Sequence, residues 1–286
     1  MREAQQSTLG VIAGGGALPA ALADACPALG LTPVLIGLAG HADPLLRPRC
    51  TLWARLGAAG AILDALRREG VRDLVLIGAV RRPSLAEIRP DLTGLRLLWR
   101  LGRAAWRGGD DALLTALKRV LEAQGLTVRP VQDFLPDLLA PEGVLTRRAP
   151  TSAEMADAAK AMEAAKALGA LDIGQAAVAA CGRVLALEGA EGTTRMVARV
   201  GSFGCAGVLA KRAKPGQDRA LDLPTIGPDT VAACANAGLS GIAVEAGGVL
   251  IADLAHTVAA ADAEGLFLWG CAARPERAQP PTQACP

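Results

Sequence analysis

The sequence predicts an α/β domain built on a parallel sheet, followed by an α+β domain, in a chain of 286 residues. Three observations carry this expectation. The first half alternates near-continuous apolar, strand-like runs with helical ones, the pattern of a parallel sheet covered on both faces. Around residues 140–152 the alternation breaks at "LAPEGVLTRRAPTSAE", which carries two prolines. Beyond that break the apolar runs are shorter, and one pair flanks a tight Cys-Gly turn, as in a hairpin.

Each element has a local reason. "TLGVIAG" is apolar and strand-like, and "ALPAALADACPAL" has helical composition. "TPVLIGL" reads as the second strand, "GAAGAILDALRREG" as an amphipathic helix ended by Gly70, and "VRDLVLIGAV" as a third buried strand. "DDALLTALKRVLEAQG" opens with acids and ends at Gly125, which suits the helix dipole and the glycine C-cap. "LTVRPV" follows as a strand. Thr151 and Glu154 have capping-box spacing for a helix over 152–168. "QAAVAACGRVLALEG" is the expected hairpin, "GVLAK", "GIAVEAGGVLIAD" and "LFLWG" are further short strands, and helices are expected over 229–237 and 255–264. Antiparallel pairing is expected in this half. The domains are drawn at 1–145 and 146–274, and the Pro-rich residues 275–286 read as a disordered tail.

Composition narrows the function. Apolar residues make up 51% of the chain and aromatic ones 2%, so the cores must be built from Ala, Leu, Val and Ile. A net charge of +2 gives no reason to expect nucleic-acid binding. The seven cysteines are scattered without CxxC spacing and read as reduced thiols rather than a disulfide framework or zinc site. No run reaches the ~18 apolar residues of a spanning helix. Glycines and Pro19 interrupt the N-terminal apolar stretch, so it is not read as a signal peptide and the protein is expected to be cytoplasmic.

Four stretches could carry chemistry. In "GVIAGGGALP", Gly14-x-Gly16 leads to Pro19 rather than a third glycine, and no acid closes the second strand. A dinucleotide fingerprint is therefore disfavoured, whereas a strand–glycine–helix turn facing a phosphate stays open beside a purely structural corner. In "EIRPDLTGLRLLWRLGRAAWRGGDD", Arg96, Arg100, Arg103 and Arg107 share one helical face beside Leu95, Leu98, Trp99 and Trp106. That face suits an anionic membrane or a solvated helix surface. Asp110 and Asp111 after it could cap a helix or ligate Mg²⁺. "LDIGQ" (171–175) and "LEGAEGTT" (187–194) place amide and carboxylate groups beside glycines at strand ends. Finally, "AKRAKPGQDRALDLPTIGPDT" (210–230) concentrates Lys211, Lys214 and Arg219 around Asp218 and Asp222, the mixture that phosphoryl chemistry needs.

"LGVIAGGGALP", "RGGDDALL", "ALDIGQAAVAACGRVLALEGAEGTT" and "LAKRAKPGQDRALDLPTIG" occur in this order and spacing across residues 8–271. Together they resemble the UDP-2,3-diacylglucosamine pyrophosphatases of lipid A synthesis. The type is the one found mainly in alphaproteobacteria, not the metallophosphoesterase type. The resemblance implies a Rossmann-like N-terminal domain. It also implies Mg²⁺- (or Mn²⁺-) dependent attack of water on the β-phosphorus of UDP-2,3-diacylglucosamine, giving UMP and lipid X (2,3-diacylglucosamine 1-phosphate). On the matching motifs, Asp222 is expected to be catalytic, as a metal ligand or by orienting water. Lys211, Lys214 and Arg219 would neutralise the diphosphate. Asp172, Gln175, Glu188, Thr193 and Thr225 would line the site from the second domain, and Gly15, Gly16, Asp110 and Asp111 from the first.

The sequence departs from the family pattern at Thr194 in "EGTTRM" and at Ser84 in "RRPS", where acids are frequent in the family. A two-chain lipid substrate implies an apolar cleft and peripheral contact with the cytoplasmic face of the inner membrane, for which the Arg–Trp stripe is the candidate. Nothing in the residues argues for or against a homodimer. The alternatives are a non-catalytic lipid- or nucleotide-binding homologue and a nicotinamide- or flavin-dependent oxidoreductase.

Overall fold

Buried aliphatic runs too short for helices become the central strands, and the helices between them force those strands to run the same way. The computed structural model describes residues 7–80, 90–96, 110–221 and 223–272. β1 (Ser7–Ala13) leads into α1 (Leu18–Ala25), which tightens into a 3-10 turn over Cys26–Leu29 and stops at Gly30, where φ is +70°. β2 (Leu31–Leu38), β3 (Leu52–Ala54), α2 (Ala59–Arg68), β4 (Asp73–Ile77), α3 (Asp110–Glu122) and β5 (Thr127–Val128) complete the unit. All its strand pairs are parallel, in the order β3-β2-β1-β4-β5. The order reverses between β1 and β4, the Rossmann arrangement with its switch point at the ends of those two strands.

β6 (Gly143–Val144) precedes α4 (Ser152–Ala170), whose N-terminus carries the expected capping box. The Thr151 hydroxyl accepts from the Glu154 N–H, and the Glu154 carboxylate accepts from the Thr151 N–H. β7 (Ala176–Ala180) and β8 (Arg183–Leu187) form the expected antiparallel hairpin. Its turn residues Cys181 and Gly182 both have positive φ, at +51° and +73°, as a two-residue turn matched to strand twist demands. The buried Asp157 of α4 accepts from both turn N–H groups, at 3.0 and 2.7 Å. α5 (Thr193–Val200), β9 (Val208–Lys211), β10 (Thr225–Ile226), α6 (Pro228–Asn236), β11 (Gly241–Glu245), β12 (Leu250–Ile251), α7 (Leu254–Ala263) and β13 (Phe267–Cys271) follow.

The second sheet has the order β6-β13-β11-β9-β7-β8. The antiparallel pairing expected here holds at its two edges, β6–β13 and β8–β7–β9, but the central β9–β11–β13 pairs are parallel. The reason is connectivity: α6 and α7 cross over between those strands, so each strand begins again at the same end of the sheet. The low aromatic content shapes the packing. Ala161 and Ala165 of α4 lie on Ala177, Ala179 and Ala210, bringing helix and sheet close together through methyl groups. The buried ring of Phe267 fits over Gly241, where a Cβ would come within 2.3 Å of it. On the opposite face Met196, Val197, Val231, Cys234 and Ala261 fill the layer between sheet and helices.

The two halves share one apolar cluster. Ala213, Leu223 and Leu250 of the second half are buried with Ala13, Leu18, Ala42, Leu46 and Ile77 near the carboxyl ends of the first sheet. That packing anchors the segment after β9 between the two sheets.

Candidate active site

In a parallel sheet, ligands dock beyond the carboxyl ends of the strands, and the second sheet gathers charge there. β9 ends at Lys211 and β11 at Glu245. Arg212 donates to Glu245 Oε1 at 2.9 Å, and the Ala213 N–H donates to Oε2 at 3.1 Å, tying the two strand ends together. Lys211 and Glu188 are each only 7% exposed, a degree of burial that charged groups tolerate only with good partners. The Lys211 ammonium donates to Thr193 Oγ1 at 3.1 Å and to the Thr225 carbonyl at 3.0 Å. Thr193 donates its hydroxyl to Glu188 Oε1 at 2.6 Å, and the Gln175 N–H donates to Oε2 at 2.9 Å. Burial pushes the neighbouring Cys234 thiol up to about 12, against the opposing pull of Lys211, so it stays neutral.

Five of the residues expected from sequence, Gln175, Glu188, Thr193, Lys211 and Thr225, thus form one hydrogen-bonded group. α5, absent from the sequence expectations, presents Thr193 at its first turn. Gly174 permits the approach, since a Cβ there would lie 2.3 Å from the Glu188 carbonyl. Gln175 Oε1 is buried with no hydrogen-bond partner among the described residues, an acceptor suited to a polar ligand or water.

The other expected residues are distributed around this group. Lys214 pairs with Asp172 at 2.7 Å. Asp218 is not grouped with the lysines of its own segment but with Lys118 of α3, at 2.6 Å. Burial raises the Asp218 carboxyl, but the Lys118 ammonium and the Ala220 N–H outweigh it and hold the group below the ordinary aspartate value. Arg219 donates to the Gly247 carbonyl, and its own carbonyl accepts from Gln132. Lys118 and Gln132 were not visible as site-adjacent residues in the sequence, because their partners lie far along the chain. Asp110 and Asp111 open α3, and their side chains lie outside the described residues. So does Asp222, as do Ser84, Arg100, Arg103 and Arg107. The neighbours of Asp222 are described: Leu221 and Leu223 both pack toward the first sheet. Arg96 and Thr194 are exposed.

The glycine turn sits at the switch point, but two of the N–H groups expected to face an anion have another use. The Gly14 N–H donates to the Ile77 carbonyl and the Gly15 N–H to the Ala79 carbonyl, each at 2.8 Å, while the Ala79 N–H donates back to Gly15. A Cβ at Gly14 would meet two carbonyl oxygens at 2.7 Å. Gly14 and Gly15 therefore stitch the ends of β1 and β4 together. Gly16, with φ of +92° and open space around it, is the glycine of the turn left facing outward.

Among the described residues no group of three or more His, Cys, Asp or Glu side chains could hold a metal. The carboxylates at the site are already engaged: Glu188 by two protein donors, Asp172 and Asp218 by lysines. These residues do not fit an all-protein cage. No described helix is long and apolar enough to cross a membrane.

Comparison with known proteins covers both halves of the chain. Residues 8–138 match the family model of the LpxI N-terminal domain, and residues 141–269 that of the LpxI C-terminal domain. The chain is also similar to the UDP-2,3-diacylglucosamine pyrophosphatase LpxI of Caulobacter vibrioides. The two are 42% identical over 271 residues, covering 92% of this chain and 96% of the relative.

Proposed function

The chain belongs to the LpxI family and is an enzyme of it, and from that premise we propose that it hydrolyses UDP-2,3-diacylglucosamine to UMP and 2,3-diacylglucosamine 1-phosphate in lipid A synthesis. The observation that carries this reading is the Lys211 ammonium, buried at the end of β9 and aimed by Thr193 Oγ1 and the Thr225 carbonyl. A fixed, desolvated cation stabilises charge on a diphosphate far better than a solvated one, and needs no reorganisation during the reaction. Thr225 stands three residues beyond Asp222, so the same short segment supplies the lysine's anchor and the candidate catalytic carboxylate.

In this reading, water attacks the β-phosphorus and the bond from that phosphorus to the bridging oxygen breaks. The bridging oxygen leaves with UMP, and the water oxygen stays on the sugar phosphate. Asp222 orients the water or takes its proton. Lys211, with Lys214 nearby, offsets the charge of the phosphoryl oxygens, and Gln175 Oε1 offers an acceptor to a polar group of the substrate. A magnesium ion, carried by the diphosphate and met by Asp222, would supply further charge neutralisation. The lipid is collected at the cytoplasmic face of the inner membrane, with the exposed Arg96 as the described member of the basic stripe.

Turnover of UDP-2,3-diacylglucosamine in ¹⁸O-water tests the reading. The label should appear in the sugar phosphate and not in UMP, and Asp222→Asn should abolish turnover in a folded protein. Label in UMP would overturn the β-attack, and normal turnover by Asp222→Asn would overturn the role of Asp222. Failure of purified protein to release UMP with any divalent metal would remove the activity itself.

A further inference from the structure

We infer that Glu188 is a positioning residue: by fixing the direction of the Thr193 hydroxyl it aims the Lys211 ammonium, without touching the substrate. This rests on the diphosphate reading above and assigns Glu188 an indirect role within it.

The argument is one of hydrogen-bond direction. An ionised carboxylate only accepts, an ammonium only donates, and a hydroxyl carries a single proton with two lone pairs. Glu188 Oε2 is committed to the Gln175 N–H at 2.9 Å, and Oε1 takes the Thr193 proton at 2.6 Å. The lone pairs of Thr193 are thereby turned toward Lys211, which donates to them at 3.1 Å. The polarity Lys211→Thr193→Glu188 admits no reversal. The Thr225 carbonyl takes a second ammonium proton at 3.0 Å, so acceptors on different elements together direct the lysine head. Burial adds weight, since Glu188 and Lys211 are equally hidden at 7% exposure and hydrogen bonds are stronger where water is excluded.

The Glu188→Gln substitution keeps the shape and inverts this logic. The backbone N–H of Gln175 still needs an acceptor, so the new amide must keep its oxygen there and turn its NH₂ toward Thr193. Two donors, that NH₂ and the ammonium, then converge on one hydroxyl whose proton has lost its acceptor. Lys211 keeps the Thr225 carbonyl but loses the fixed direction that the Thr193 hydroxyl gave it.

The test is a double-mutant cycle on the enzyme with UDP-2,3-diacylglucosamine. Glu188→Gln and Thr193→Val should each lower kcat/KM by roughly tenfold, mostly in kcat, and the double variant should be no worse than the poorer single one. Thr193→Ser, which restores the hydroxyl, should recover most of what Thr193→Val loses. Unchanged activity in Glu188→Gln, or losses that multiply in the double variant, would overturn the inference. If Glu188→Gln does not fold, the Thr193 pair decides, and equal activity of the Val and Ser variants would overturn it. If the wild type itself releases no UMP, the functional reading has failed. The relay is then judged by calorimetric titration with inorganic pyrophosphate, where weaker binding by Thr193→Val than by Thr193→Ser supports it and equal binding overturns it.

Discussion

Lys118 on α3 donates to Asp218 at 2.6 Å, joining groups 100 residues apart that belong to opposite halves of the chain. Gln132 makes a parallel link from the first half to the Arg219 carbonyl at 3.1 Å. These polar ties flank the shared apolar cluster of Ala213 and Leu223 and fix the segment that leads into Asp222. The arrangement ties the candidate catalytic segment to the first domain by side chains as well as by apolar burial.

Loss of the Lys118 ammonium should therefore loosen the contact between the halves. The pair is partly buried, so Lys118→Met is expected to cost about 1 kcal/mol, most of it from leaving the carboxylate unpaired. Because the Asp218 carboxyl is held below its ordinary value in the folded protein, the bridge adds stability above the unfolded aspartate pKa of about 4 and loses it as pH falls through the lower folded value. Thermal unfolding of wild type and Lys118→Met should differ at pH 7, and the gap should narrow as pH falls below the ordinary aspartate value of about 4. A constant gap across that range would count against the bridge.

Asp157 carries a second prediction. Its carboxylate serves both N–H groups of the β7–β8 turn, so Asp157→Ala leaves two turn donors without their acceptor and should cost roughly 2–3 kcal/mol. Asp157→Asn keeps one acceptor oxygen and should recover part of that loss. Urea unfolding of the three proteins measures both, and equal midpoints for the Ala variant and wild type would contradict the assignment.

The hairpin that Asp157 supports was legible in sequence because Cys-Gly between two apolar runs leaves few alternatives, and the Thr151–Glu154 cap was legible for the same local reason. Pairing direction in the second sheet was not. Strand "GVLAK" and the strands of "GIAVEAGGVLIAD" and "LFLWG" show buried runs without direction, and only the crossovers through α6 and α7 make β9, β11 and β13 parallel. The strands β3, β6, β10 and β12 have two or three residues each, too few for any periodicity. α5 escaped notice because it opens on two β-branched threonines after Gly192. Its signal was the spacing of Met196, Val197 and Val200, all buried. At the site, residue types were readable but partners were not: Lys211 reaches Thr193 of α5, Arg212 reaches Glu245 at the end of β11, Lys214 reaches Asp172 and Asp218 reaches Lys118 of α3.

The glycine turn shows how a motif's letters mislead, and it is testable. Gly78 has φ of +95°, and a Cβ there would lie 2.6 Å from the Gly15 carbonyl oxygen. Gly78→Ala and Gly14→Ala should therefore each destabilise the first domain by about 2 kcal/mol or more, whatever the ligand does. Gly16→Ala meets no neighbouring atom and should cost only the ~1 kcal/mol of an unfavourable φ. If Gly16 faces the nucleotide, its variant should raise KM with little change in melting temperature. Equal stability losses at all three positions would show that the turn acts as a single structural unit.

Metal dependence should separate from stability. The carboxylates described at the site already hold protein donors, and magnesium dehydrates reluctantly, binding well where phosphates join a carboxylate or two. Substrate-free protein should thus melt within about one degree in EDTA and in millimolar Mg²⁺, because a ligand stabilises only as far as it occupies the native state. With wild-type protein and a non-hydrolysable methylene-bridged analogue of UDP-2,3-diacylglucosamine present, Mg²⁺ should raise the melting temperature beyond the effect of either addition alone. A large rise from Mg²⁺ in the absence of substrate would place a resident metal site in the protein and refute delivery with the diphosphate.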